Sequence, residues 1–270
     1  MSDDRIALLD ERARALRRHI LSVSTAQYAH LGGSMSCADI MAALFFDFLR
    51  LPWESESTVD HFLLSKGHSV HAYHACLAEL GQIAPEEIPM TGQPGSRLGG
   101  HPTLRAPGVE IATGSLGHAL SVGIGIALGE AHDGSDSRTV VLLGDGELQE
   151  GSVWEAALTA PHFGLDRLVA IIDANGFQSS GETEAVMPLE PLAEKWRAFG
   201  WNTTEIDGHD MSAIVGALDA VAASTAPVAI IARTVKGKGV PGIEGTQRAH
   251  YIRLTADEEK AALAALEAGK

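Results

Sequence analysis

Cysteine is nearly absent. Only Cys37 and Cys76 occur in 270 residues, far apart and outside any Cys-x-x-Cys pair, which excludes a disulfide framework and a thiolate zinc site. Both are expected to be buried thiols. Long apolar runs are missing too, since no uninterrupted stretch reaches the roughly 18 residues that would cross a bilayer. The opening segment "MSDDRIALLDERARALRRH" carries charge throughout, where a secretory signal would be apolar. A cytoplasmic chain with no membrane partner is expected. Basic residues are scarce: 20 Lys and Arg face 35 Asp and Glu, for a formal net charge of −15. Nucleic acid and anionic lipid would therefore be repelled at long range, and any bound phosphate needs a local site or a metal ion. No fixed-period repeat, low-complexity tract or Walker A motif is present. The run "GIGIALG" lacks the G-x-G-x-x-G spacing of a dinucleotide loop and follows a helical stretch instead of a strand.

What is there is enough for a large core. Hydrophobic residues make up 45% of the chain, with a mean hydropathy of +0.06, and the length suits one α/β domain spanning residues 1–270. In the first third, Ile6, Leu9, Ala13, Leu16 and Ile20 recur at helical spacing. A second helix is expected to start at Ser36, with Asp39 completing a capping box, and to run through "IMAALFFDFL". A third is expected over residues 69–80, with Gly81 as its left-handed exit. Residues 81–117 are rich in Gly and Pro and read as long loops. From Arg138 onward "TVVLLG", "RLVAIID", "NTTEID" and "VAIIARTV" alternate with amphipathic stretches. This pattern predicts an α/β fold, a mostly parallel sheet with helices on both faces. Ligands of such sheets bind beyond the C-terminal ends of the strands.

One of those ends carries "GDGELQEG", residues 144–151. Asp145 ends a strand, Glu147 and Glu150 fall where the next helix begins, and Gly144 and Gly146 permit a tight turn and close approach of a ligand. The next strand ends in "IIDANGF", which places Asn175 at a neighbouring tip. A carboxylate and an amide oxygen converging there, with a backbone carbonyl beside them, form a hard-oxygen set for Mg²⁺ or Ca²⁺. Taken singly, Gly-Asp-Gly and Asn-Gly also read as ordinary turns. Four histidines stand in loop-like contexts: His30 in "AHLGGSMS", His68 in "LSKGHS", His101 in "GGHPTL" and His250 in "RAHYIRL". His68, His71 and His74 do not make a convincing zinc site, because three-residue steps spread them around an arc with no thiolate near.

Together these residues resemble a family. "GDGELQEGSVWEAA" followed by "IIDANGF" is similar to the diphosphate and metal motif of thiamin diphosphate enzymes. "AHLGGSMS", "LSKGH", "GGHP" and "TGSLGHALSVGIGIAL" resemble transketolase specifically. The resemblance runs from His30 to His250 and matches only the N-terminal, diphosphate-binding part of a full-length transketolase. It implies the thiamin diphosphate-binding fold of the transketolase diphosphate domain, in the N-terminal subunit of a split enzyme. The pyrimidine-binding and C-terminal domains, and the glutamate that activates the cofactor, would belong to a partner chain in an α2β2 heterotetramer.

Further implications follow residue by residue. Asp145, Asn175 and the Phe177 carbonyl would hold Mg²⁺, for which Ca²⁺ or Mn²⁺ could substitute. Gly144, Gly146, Glu147, Glu150 and His68 would lie against thiamin diphosphate, and Ser115, Leu116 and Gly117 beside its rings. His30, His68, His101 and His250 would bind sugar hydroxyls and move protons. Glu150 and Glu155 would face the second chain. The implied reaction transfers a two-carbon ketol unit from a ketose or ketose phosphate to an aldose. The chain departs from the family pattern at Ser115, where proline is more frequent, and at His118, where glutamine is usual. Lys236 and Lys238 in "TVKGKG" could touch phosphate, but read more readily as solvated loop lysines. Two alternatives share the metal motif: the α-subunit of a thiamin-dependent 2-oxo acid dehydrogenase, and a non-catalytic cofactor-binding subunit.

Overall fold

The computed structural model describes residues 3–53 and 58–269. Its elements run α1 (Asp3–Ala26), α2 (Leu31–Ser36), α3 (Ala38–Ala43), β1 (His61–Leu64), α4 (Val70–Glu79), α5 (Ala119–His132), β2 (Thr139–Gly144), α6 (Gly151–His162), β3 (Leu168–Ala174), β4 (Phe177–Gln178), β5 (Gly181–Glu182), α7 (Thr183–Val186), α8 (Leu192–Ala198), β6 (Asn202–Asp207), α9 (Met211–Asp219), β7 (Val228–Arg233) and α10 (Ala256–Glu267). Five strands form one sheet in the order β1-β2-β3-β7-β6, every neighbouring pair parallel. The short β4 and β5 pair antiparallel beside it.

Strict alternation on the inner strands explains why helices cover both faces. On β2, Val140 and Leu142 pack into one core with α1, α3, α4 and α9, while Val141 and Leu143 enter a second core with α5, α6 and α8. A strand apolar at every position can be buried only between two layers, and each fully buried Val, Leu or Ile contributes roughly 1.5–3 kcal/mol. Leu9, Ala13, Leu16 and Ile20 of α1 are buried as their spacing predicts. Both cysteines are buried and free. Among the described residues no helix is long and apolar enough to cross a membrane.

The structure departs from the sequence reading near residue 36 and at β1. Ser36 does not begin a helix: the chain is helical from Leu31, and Ser36 closes α2. Its hydroxyl donates to Asp173 Oδ2 at 2.6 Å, and Asp39 pairs with the buried Arg17 at 2.6 and 2.8 Å. Both side chains are drawn away from capping by partners distant in sequence. The following helix bends into a π turn over Leu44–Phe48. Strand β1, "HFLL", has no counterpart among the predicted strands, because four residues at a sheet edge carry too little periodicity to register. A 3₁₀ turn at Gly67–Ser69 precedes α4, and Gly81 leaves its C-terminal end at φ +69° as expected.

The chain order sets the switch point. It fills β1, β2 and β3 side by side, crosses to the outer β6, and returns to place β7 beside β3. The loops after β1, β2, β3 and β7 therefore emerge together at one end of the sheet, where a crevice forms.

Candidate active site

Four adjacent strand ends build the site. β1 leads into Lys66, β2 into Asp145, β3 into Asn175 and Phe177, and β7 into Lys236. They line a cavity of about 320 Å³ together with His30, His68, His101, Leu116, Gly144, Gly146, Glu147, Glu150 and His250. Ser115 and Gly117 do not line it. Ser115 is exposed, and Gly117 is buried behind the wall. A second cavity, of about 390 Å³, opens at the opposite end of the sheet between Arg50, Arg138 and Arg167. Asp60 engages Arg50 and Arg138, so its positive charge is met within the fold.

A buried ion pair fixes the floor. Lys66 and Asp173 are wholly buried and bonded to each other, and the Lys66 ammonium also donates to the Gly33 carbonyl at 3.1 Å. Burial opposes the Asp173 charge, yet Lys66 together with the Ser36 and Thr234 hydroxyls outweighs it and holds the carboxyl below its usual range. Asn175 Nδ2 donates to Asp173 Oδ2 at 3.1 Å, which fixes the orientation of the amide, and Oδ1 accepts the Phe177 amide at 3.1 Å.

Asp145 accepts the Gly146 amide at 2.8 Å and the Gly176 amide at 2.6 Å. Burial, reinforced by the nearby Asp173, pushes its carboxyl up to about 6. A carboxylate so disfavoured is one that a bound cation would restore. Asp145, the Asn175 amide oxygen and the Phe177 carbonyl thus fit a hard divalent ion by chemical type. Glu147 lines the cavity and also braces it. It accepts Ser65 Oγ, the Gly117 amide at 2.9 Å and the Gly144 amide at 3.1 Å, and so clamps the loop before α5 to the ends of β1 and β2. Gly146 is required because a Cβ there would meet Gln178 Cβ at 2.7 Å.

The four histidines meet at the other wall. Ring centroids separate His30 from His68 by 5.7 Å, from His101 by 5.8 Å and from His250 by 5.4 Å. Burial, with His101 and Lys236 adding to it, lowers His30 to about 4. Burial, then Lys236 and His30, lowers His250 to about 4. Burial also depresses His68 and His101. All four are neutral imidazoles at pH 7, able to donate from one nitrogen and accept at the other. His71 and His74 lie buried behind them, and no group of three or more His, Cys, Asp or Glu among the described residues is placed to hold a metal.

Lys236 corrects the sequence reading. It is buried, not solvated, and its ammonium donates to the Phe177 carbonyl at 3.1 Å and to His250 Nδ1 at 3.0 Å. Burial and the neighbouring Lys66 pull its pKa down to about 8. Room for it exists because residue 32 is glycine: a Cβ there would meet Lys236 Cγ at 2.8 Å. Lys66 was not singled out from the sequence either. Its signal was position, a lysine at a strand end followed by glycine, in the same setting as Asp145. Lys238 is half-buried and pairs with Glu244. Glu150 and Glu155 are exposed, Glu150 at the rim of the cavity.

Residues 10–267 match the family described as "Transketolase, thiamine diphosphate binding domain". The chain belongs to this family. It is 41% identical to an apulose-4-phosphate transketolase subunit of Phocaeicola vulgatus, over 97% of this chain and 94% of that one. It is 38% identical to the 6-deoxy-6-sulfo-D-fructose transketolase subunit SqwG of a Clostridium species, over 99% and 98%. The fold superposes on transketolase from Leishmania mexicana with a TM-score of 0.89 and 28% identity, covering 96% of this chain and 41% of that one. Among transketolases, then, it matches chains named as subunits along nearly their whole length and the longer enzyme along two-fifths of it.

Proposed function

We propose that residues 1–270 form one diphosphate-binding domain and that the chain is the N-terminal subunit of a transferase that moves a two-carbon ketol unit from a ketose, or its phosphate, to an aldose. One observation carries this reading: four neutral imidazoles and the Asp145–Asn175 tips face each other across one cavity. Relatives of the same length bear names that make each of them one subunit of a transketolase. Those names support a second chain, which would bring the pyrimidine domain and complete an α2β2 assembly, with Glu150 and Glu155 placed on exposed surface for it. A cytoplasmic setting accords with the two free thiols.

Thiamin diphosphate, when bound, supplies the carbon-carbon bond chemistry. Lys236 and the amides at the strand ends would take its diphosphate, with Mg²⁺ on Asp145, Asn175 and the Phe177 carbonyl offsetting the charge that so acidic a chain would otherwise repel. Sugar hydroxyls are held by His30, His68, His101 and His250. His250, whose Nδ1 accepts from Lys236, carries its proton on Nε2, and neutral rings can both deliver and receive a proton during transfer.

The assembled two-chain complex should turn over a ketose phosphate with an aldose acceptor. It should not turn over pyruvate with an artificial electron acceptor. Turnover of pyruvate alone would identify a 2-oxo acid dehydrogenase component instead, and no turnover of either a non-catalytic one.

A further inference from the structure

His209 does not line the cavity, yet it touches the backbone that carries Lys236 there. Where β7 ends, the chain is pinned residue by residue. Arg233 pairs with Asp207 of β6, and its carbonyl accepts the Gly208 amide at 2.8 Å. Thr234 faces the other way, its amide donating to the Ala174 carbonyl at 3.3 Å and its hydroxyl to Asp173. Val235 holds the next amide on the β6 side, and there β6 has already ended and the chain has turned towards α9. A side chain replaces the missing carbonyl: the Val235 amide donates to His209 Nε2 at 2.8 Å. Gly208 lets the two tips approach this closely, because a Cβ on it would collide with Thr234 Cγ2.

This contact fixes His209 in one neutral tautomer. Nε2 accepts the amide, so the ring proton stands on Nδ1, 2.7 Å from Asp39 Oδ2. Asp39 can only accept. Burial opposes its charge, but Arg17, at 2.6 and 2.8 Å, and His209 outweigh it and hold the carboxyl well below the usual carboxylate range. Arg17, Asp39 and His209 thus form a relay that ends on the peptide before Lys236, and an interior amide deprived of its acceptor moves until it finds another. Lys236 in turn meets His250, its ammonium donating to Nδ1 at 3.0 Å. His250 is anchored separately, by an antiparallel bridge in which Ala29 and Ile252 exchange two backbone hydrogen bonds of 3.0 Å. Its ring therefore reports where the Lys236 ammonium is.

We propose that His209 is a positioning residue of the active site: by accepting the Val235 amide it sets the backbone that aims Lys236 at the cofactor diphosphate and at His250. This rests on reading Lys236 as a diphosphate ligand. The rival role is bracing Asp39 and Arg17 within the fold, and two substitutions separate the roles. His209→Asn keeps an N–H where Nδ1 stands, for Asp39, but is too short to reach Val235. His209→Gln places an amide oxygen where Nε2 stands, for Val235. Titration calorimetry of the assembled complex with Mg²⁺ should find thiamin diphosphate affinity within about twofold of the natural complex for His209→Gln and about three- to tenfold weaker for His209→Asn, the range one hydrogen bond carries. Nitrogen-15 spectra of the histidine-labelled chain give a readout that involves neither cofactor nor turnover. The His250 signals, identified by their loss in His250→Gln, should show the proton on Nε2 in the natural chain and in His209→Gln, and a mixture of tautomers in His209→Asn. Intact affinity in His209→Asn beside a loss in His209→Gln would overturn the proposal and assign His209 to bracing Asp39. Equal behaviour of the two variants, intact or impaired, would overturn it too, as would weakened affinity with an unchanged His250 tautomer. A changed tautomer at unchanged affinity would uphold the positioning and sink the reading of Lys236 as a diphosphate ligand.

Discussion

Asp145 shows what a buried carboxylate requires. Its two oxygens already accept backbone amides, yet burial and Asp173 still hold its pKa near 6. Asp145→Ala should leave the chain folded, because the residue stands at a strand tip. It should weaken Mg²⁺-dependent thiamin diphosphate binding by at least the 10–100-fold that loss of an outer partner costs a metal site. Titration calorimetry of the complex, with circular dichroism to check folding, measures this; unchanged affinity would show that Asp145 serves only as a turn. Lys66 and Asp173 pose the complementary problem. Lys66→Met strands a buried carboxylate and should cost about 3–5 kcal/mol in denaturant unfolding, while adding Asp173→Asn should recover part of the loss because no unpaired charge remains.

At the scale of elements, His61 ties three pieces together. It opens β1 and bridges Glu110 of the loop between α4 and α5 at 2.5 Å and Glu130 of α5 at 3.1 Å. Its hydrogen bond to Glu110 outweighs burial and raises it to about 9. The folded pKa exceeds the unfolded value of about 6.5, so its stabilisation is complete below pH 6.5 and fades as the pH climbs through 9. The His61 side chain is 21% exposed and its partners more so, and solvent screening leaves about 1–2 kcal/mol. The urea midpoint should fall across pH 6.5–9.5 by more in the natural chain than in His61→Gln. Strand β1 is also where the sequence was least informative. The inner strands β2 and β3, together with β6 and β7, were legible within a residue or two, since long β-branched runs bounded by polar turns have few other solutions. Strand β1 and helix α2 are short, and each is fixed by neighbours far along the chain.

For the molecule as a whole, an excess of fifteen negative charges makes cation dependence a global property. Chelating divalent ions should weaken thiamin diphosphate binding by the assembled complex about tenfold or more, with recovery on adding Mg²⁺. An affinity indifferent to chelation would mean that Lys236 and the strand-end amides hold the diphosphate unaided. The motifs around His30, His68, His101, Asp145 and Asn175 were readable because each carries its chemistry in a few consecutive residues. Lys236 was not. A lysine between a valine and a glycine looks solvated, and only Gly32 on one side and the Phe177 carbonyl on the other make it an interior residue.

The bridge between Ala29 and Ile252 also sets a timetable. During synthesis the ribosome delivers His30 early and His250 with Tyr251 some 220 positions later, so the parallel sheet can assemble around a cavity that still lacks one wall. A nascent chain has every strand in place before it has a complete histidine cluster. Closure of the cavity is thereby deferred until residue 250 has been made, and a ribosome-stalled product ending before it should fold its sheet yet lack the His250 wall.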